Sequence, residues 1–338
     1  MVTATVAKAP RFKFDAFMKG MVIAVGLAFL WPAPGAHGGF LHPEVLNKVG
    51  VALVFFLNGL SLSLAAMRAG AASWRAHVLI QASTYLLFPL IGVLGVWATD
   101  GLVSRDLQIG FFFLCALPST VSSSVALTVA ARGNVPVAVF NATLSSLIGV
   151  VVTPAWMGWM LGQTGIEFPI GPVIRDLLLW VLLPLVLGQI ARPFLGAWAA
   201  RHKSRLQWVD RGTILMLIYT SFADSVMQGV WTRFSPLTLV GILLGTLVLF
   251  LVAFWCVRAL ARVMGLSEPD RIAAIFCGSK KTLATGVPMA QMIFGTNPAL
   301  GLILMPLMLY HPLQLAIGGV LAQRWGAHQD GDGDALAP

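Results

Sequence analysis

The chain has 338 residues, 58% hydrophobic and only 10% charged, with a mean hydropathy of +0.84. Soluble domains carry about 25% charged residues, so these proportions exclude a soluble globular domain and place the chain in a bilayer. The net charge of +9 would suit a nucleic-acid binder, but the positions of the charges argue otherwise.

A helix needs roughly 20 mostly apolar residues to cross the hydrocarbon core. Runs of that size predict ten spans near 17–35, 45–66, 77–98, 107–131, 135–160, 173–197, 208–229, 237–264, 270–293 and 298–322. They are too long for strands and lack period-2 alternation. The first run, "GMVIAVGLAFLWPAPGA", follows a basic stretch as in a signal peptide. It is longer than a usual signal core and carries Trp31-Pro32, so a first transmembrane helix is expected. Of 22 Lys and Arg residues, 16 fall at the termini and in the even-numbered loops and their flanks. Lys48, Arg105, Arg175 and Arg233 fall on the other side, and Lys280 and Lys281 lie within a span. The positive-inside rule then puts both termini in the cytoplasm of an integral protein of a bacterial inner or plasma membrane. Topology therefore explains the basicity, with the lipid bilayer and not nucleic acid as partner. Residues 1–16 are expected to form a cytoplasmic N-terminal segment. Residues 323–338, ending "AHQDGDGDALAP", are expected to be a disordered cytoplasmic tail. The cysteines, Cys115, Cys256 and Cys277, sit in apolar runs and suggest no disulfide framework.

Shifting the chain by 162 residues lays Cys115 on Cys277, Thr120 on Thr282, Val125 on Val287, Gly133 on Gly295 and Pro136 on Pro298. Each half then holds five spans, about 17–160 and 173–322, and an odd number inserts the second half upside down. The predicted fold is an all-α polytopic membrane protein with ten transmembrane helices in two inverted five-helix repeats. Within the fourth and ninth spans lie "PSTVSSS" and "GSKKTLATG", rich in Gly, Pro and hydroxyls. Small residues can merely let helices pack closely, but two such runs at equivalent positions favour interrupted helices. An unbroken helix satisfies its own backbone groups, whereas a break frees N–H and C=O groups for a solute. The candidate binding residues are Ser119, Thr120, Ser122, Ser123 and Ser124 from the first run, and Ser279, Lys280, Lys281, Thr282 and Thr285 from the second.

At "ALPSTVSSSVALTVAARGNVPVAVFNATLSSLIGVVVTP" and "CGSKKTLATGVPMA" the chain resembles the bile acid:sodium symporter superfamily, most closely its SBF-like branch of sodium-dependent transporters. The resemblance covers roughly residues 17–322. It implies a panel domain of helices 1, 2, 6 and 7 and a core domain of helices 3–5 and 8–10. It also implies discontinuous fourth and ninth helices that cross in the core, and a small organic anion as cargo. Family members use a Ser-Asn pair after the first break as sodium ligands; Ser123 and Ser124 stand at the matching positions. Two hydroxyl ligands in the next helix match Ala138 and Ala142, with Asn141 and Thr143 beside them. A glutamate opening the ninth-helix break matches Ser279, and a Gln-Asn pair matches Leu283 and Ala284. The resemblance thus leaves Ser123, Ser124, Asn141 and Ser279 as a candidate sodium set that lacks the family's acid.

Adjacent lysines within a span cannot share a helical face, since neighbours point about 100° apart. Two readings stand. Either both reach a water layer or a lone acid, or one ammonium takes the place of a bound cation and favours an anionic cargo. A desolvated lysine is also a candidate to load and release a proton, so sodium, a proton or nothing is the coupling ion. Asp224, the one acid well inside a span, is the candidate counter-charge to Lys280 or Lys281. Gln81 is a weaker candidate, and His77 and His311 read as interfacial or packing residues.

There is no HExxH, no GxSxG and no pair of in-span acids, and "SSS" has no credible His-Asp partner, so an enzyme and an organic cofactor are not expected. Secondary active transport of an organic anion is the favoured function. Channel and membrane-scaffold readings explain the repeat less well.

Overall fold

A computed structural model describes residues 16–61, 73–163, 170–233, 236–295 and 297–334. Among these the secondary structure is helical throughout, without a strand. The helices are α1 (Ala16–Leu30), α2 (Pro43–Ser61), α3 (Trp74–Ala98), α4 (Arg105–Ala116), α5 (Ser122–Ala130) and α6 (Val135–Gln163). They continue as α7 (170–201), α8 (Lys203–Met227), α9 (Pro236–Val263), α10 (Glu268–Gly278), α11 (Leu283–Phe294) and α12 (Leu300–Asp334). Six helices of the described residues, α2, α3, α6, α7, α9 and α12, are long and apolar enough to cross a membrane. The protein is an integral membrane protein.

Prolines shape two of these helices. Both α3 and α7 widen to a π turn, at Ser83–Leu87 and Leu178–Leu182, just before Pro89 and Pro184. Proline brings no N–H and crowds the carbonyl four residues back, and a π turn is one way to absorb that. In α3 it leaves the Thr84 and Tyr85 carbonyls without a helical donor.

Helices α2 and α7 pack through glycines. A Cβ added at Gly188 would sit 2.2 Å from the Phe56 carbonyl oxygen, and one at Gly59 would sit 2.1 Å from that of Leu185. Backbone contact this close needs residues without side chains. Gly188→Leu is therefore expected to push α2 from α7 and cost about 1–3 kcal/mol, read as a lower melting temperature of the purified protein.

The last helix departs from the expected tail. It runs on through 323–334 rather than ending at 322. "LAQRW" consists of good helix formers with no proline to stop it. Trp325 stacks 6.4 Å from Phe254 and lies 5.4 Å from Phe276, so packing holds the helix past the point where polarity rises. Residues 335–338 and 1–15 lie outside the described residues.

Candidate functional site

Two pairs of short helices form the centre of the molecule. Helix α4 stops at Ala116 because Pro118 disfavours helical backbone at the residue before it; Leu117 is extended, with φ −68° and ψ 153°. Helix α10 stops at Gly278, and α11 starts after Thr282, whose side chain caps it by accepting from the Thr285 N–H at 3.4 Å. The breaks fall within the two hydroxyl-rich runs, and they meet: the Thr282 N–H donates to the Pro118 carbonyl at 3.0 Å.

Every carbonyl from Cys115 to Pro118 has a donor. Lys281 Nζ donates to Cys115 O and Leu117 O, both at 2.7 Å. Thr153 Oγ1 donates to Ala116 O at 2.8 Å. The carbonyls released by Pro89 are met as well, Thr84 O by Lys281 Nζ at 2.9 Å and Tyr85 O by the Trp156 indole at 3.0 Å. An ammonium has three protons, and Lys281 spends them on three carbonyls that no backbone N–H reaches. The Phe88 ring lies 4.2 Å from the same nitrogen. Lys281 is wholly buried.

The second break is held in return by the first. Ser119 Oγ donates to Cys277 O, and Ser124 Oγ donates to Phe276 O at 2.9 Å. Helix α12 fixes the segment from the other side. The Tyr310 hydroxyl donates to Ser279 O at 2.8 Å. The Gln314 amide accepts from Lys281 N at 2.9 Å and donates to Lys281 O at 2.8 Å. Tyr310 and Gln314 lie one turn apart, and nothing in the apolar sequence around them marks this role.

Lys280 points elsewhere; the two lysines lie in the non-helical link between α10 and α11, not on a helix as expected from sequence. Its ammonium is buried with no hydrogen-bond partner among the described residues. It sits 5.4 Å from the Phe276 ring. Gly318 of α12 leaves room for it, since a Cβ there would come within 2.8 Å of Nζ.

The remaining candidates separate. Thr120 bonds to Ser123 and Ser124 within the first break. Ser122 is exposed and Ser123 half-buried, while Thr143 and Thr285 are buried. Asn141 is bonded to Val137 O at 2.9 Å, to His77 at 2.8 Å and to Gln81 at 3.1 Å. Ser279 Oγ turns back onto its own helix at Ile275 O, 2.6 Å away. Among the described residues no hydrogen bond links Asn141 or Ser279 to Ser123 or Ser124.

Asp224, the expected counter-charge to a lysine in one state, does not meet either lysine in this structure. It lies in the last turn of α8, whereas the lysines lie at the break, and its carboxylate accepts from the His37 N–H at 3.0 Å. Around it, a polar cavity of about 60 Å³ is lined by residues that include His37, Glu44, Asn47, Ser221 and Gln291. Asn47 donates to Gln291 Oε1 at 3.2 Å and accepts from Thr220 at 2.9 Å, while Gln291 donates to Ser221 Oγ at 2.6 Å. This network joins α2, α8 and α11.

The two half-helices after the breaks differ in cover. Helix α11 packs on α2, α8 and α12, and all of it is buried except the half-buried Ala284 and Met292. Helix α5 packs chiefly on α6, α10 and α12. Its entry and outer face are open, with Val121 41% and Val129 55% exposed and Ser122 and Ala126 also exposed.

Interrupted helices that meet inside an all-helical membrane chain, offering hydroxyls and backbone groups at their breaks, define a membrane transporter and not an enzyme. The comparisons narrow the class. The chain belongs to the SBF-like CPA transporter family, whose model matches residues 15–327. It is 42% identical to an uncharacterized protein of Pseudomonas aeruginosa over 328 residues, covering 97% of this chain and 98% of that one. It is 37% identical to YfeH of Escherichia coli over 311 residues, 92% of each chain. It is 33% identical to the rat protein named sodium/bile acid cotransporter 7 over 319 residues, again 92% of each.

Proposed function

We propose that the protein moves a small organic anion across the membrane by alternating access, in ten spans built from two inverted five-helix repeats. Reciprocity at the breaks supports the repeat. Ser119 and Lys281 stand 162 positions apart, as do Cys115 and Cys277. Ser119 donates to Cys277 O and Lys281 to Cys115 O, so each half reaches the end of the other's helix from the equivalent position. On this reading α1, α2, α7 and α8 form the panel, and the other helices form the core.

The observation that carries alternating access is the unequal cover of α5 and α11. A static pore built on an inverted repeat would expose both halves alike. Here the half-helix on the side of the α1–α2 loop is sealed by α2 and α8, and its counterpart is open. With cytoplasmic termini by the positive-inside rule, the conformation is closed outside and open inside. The N-terminus of α5, with Ser122 exposed and Ser123 half-buried, faces the open side and suits an anion. The name of the rat relative pairs sodium with bile acid. The absent acid at Ser279, and the commitment of the Asn141 side chain to Val137, His77 and Gln81, oppose a sodium cage at Ser123, Ser124, Asn141 and Ser279. Proton coupling is a second reading, favoured by Lys280: an ammonium buried among Leu127, Phe276 and Gly318 without an acceptor is costly here, and a proton could enter or leave as the state changes.

Thiol accessibility tests the closure. In a Cys256→Ser background, Ser122→Cys should react with an impermeant maleimide from the cytoplasmic face only. Bridging Asn47→Cys to Gln291→Cys with a short bifunctional reagent should fix that pattern and abolish counterflow. Labelling of Ser122→Cys from the outer face, in the bridged protein, would sink the reading.

A further inference from the structure

We propose that Lys281 is a built-in cation, occupying the position that a dissociable monovalent cation would otherwise take between the two breaks. The inference deepens the transporter reading by assigning one lysine this task, but its evidence and its test concern binding and stability alone.

The ligand set is that of a cation site. Three carbonyl oxygens, from Thr84, Cys115 and Leu117, converge on one nitrogen at 2.7–2.9 Å. Two belong to the C-terminal end of a half-helix, where the helix dipole favours positive charge. The third is released by a proline in another helix. The Phe88 ring adds the negative face of its quadrupole at 4.2 Å. No carboxylate among the described residues takes part, so the positive charge is balanced by backbone dipoles and the Phe88 ring, much as freed carbonyls hold an alkali ion in a broken-helix transporter.

The tether is rigid as well as charged. Gln314 grips both backbone groups of Lys281, and the Thr282 N–H anchors the next residue to Pro118. The ammonium therefore arrives from a fixed backbone, and the three carbonyls are met in every molecule whatever the ion outside. Lys280, one residue earlier, shares only an aromatic neighbour, at 5.4 Å, and has no carbonyl acceptor among the described residues, so the two lysines do different work.

The test uses the full-length purified protein in detergent and its apparent melting temperature. The wild type should melt at the same temperature in sodium and in choline at equal ionic strength. Lys281→Ala shortens the side chain to its β-carbon and leaves the carbonyls facing a space shaped for an alkylammonium. Its lowered melting temperature should rise with n-propylammonium concentration, and to some extent with sodium, because a ligand that binds only the folded state stabilises it. Choline, too bulky to fit, should not help, and Lys280→Ala should show no rescue by either cation. Lys281→Gln covers the case in which Lys281→Ala does not fold. It keeps N–H donors without the charge and should remain less stable than the wild type. The proposal fails if Lys281→Gln melts with the wild type, if Lys281→Ala ignores both cations, or if sodium stabilises the wild type and Lys281→Ala equally. None of these readouts involves flux, so failure to find an anionic cargo would leave the result intact.

Discussion

Lys281→Met lowers the stability of the protein by on the order of 3 kcal/mol or more, whereas Lys280→Met leaves it unchanged or raised. The contrast follows from what each substitution strands. Removing the Lys281 ammonium leaves three buried carbonyls without donors, at about 1–3 kcal/mol for each stranded group. It also removes a cation–π contact worth about 2 kcal/mol when desolvated. The relief of desolvating one ammonium works the other way, and the three acceptors outweigh it. Lys280 has no acceptor to strand among the described residues. Methionine fills nearly the same volume and replaces the 5.4 Å cation–π contact with Phe276 by a sulfur–aromatic one, while the desolvation cost disappears. Thermal unfolding of the two variants side by side checks this. Equal losses would mean that both lysines are held by contacts the geometry assigns only to one.

Gln314→Leu is the second large effect expected. Leucine occupies similar space but cannot pair with the Lys281 N–H and C=O, so two buried backbone groups lose their partner. A net loss of about 2–4 kcal/mol is expected. Gln314→Glu keeps the acceptor for the N–H and, when protonated, a donor for the carbonyl. It should recover part of the loss as pH falls. A Gln314→Leu protein as stable as the wild type would mean that the break does not need the clamp.

Much of this arrangement could be read from the chain. The breaks lie in the two runs where Pro118, Gly278 and a row of hydroxyls weaken the helix, because those residue types act locally. Lys280 and Lys281 do diverge, but in the non-helical link between α10 and α11 and not by the helical step expected of neighbours within a span. Other features had no local signal. The Thr84 carbonyl is freed by a proline five residues on and is claimed by a lysine 197 residues away. Gln314 and Gln291 are single polar residues in apolar runs, and their partners, like those of Tyr310 and Asn47, are backbone groups, amides or hydroxyls on distant helices. Gln81, a weak candidate by sequence, does reach Asn141. Asp224 reads as well inside a span, whereas it sits in the last turn of α8 against the His37 N–H, a loop contact that no local pattern marks. The tail misled because composition reports solubility, while Trp325 finds aromatic neighbours that only the fold supplies.

A charge that is part of the chain cannot be left behind on the far side of the membrane. On the proposed cycle it makes the round trip with the carrier, so over one full turn the only net electrical displacement is that of the cargo. A monovalent anion moved this way, without a proton, carries one negative charge. A potential of about 100 mV, negative inside, is worth roughly 2.3 kcal/mol on that charge. That corresponds to a gradient of about 50-fold at 1.4 kcal/mol per factor of ten, and it points outward. Exchanging a soluble sodium ion for a lysine would thus turn a device for gathering anions into one for expelling them.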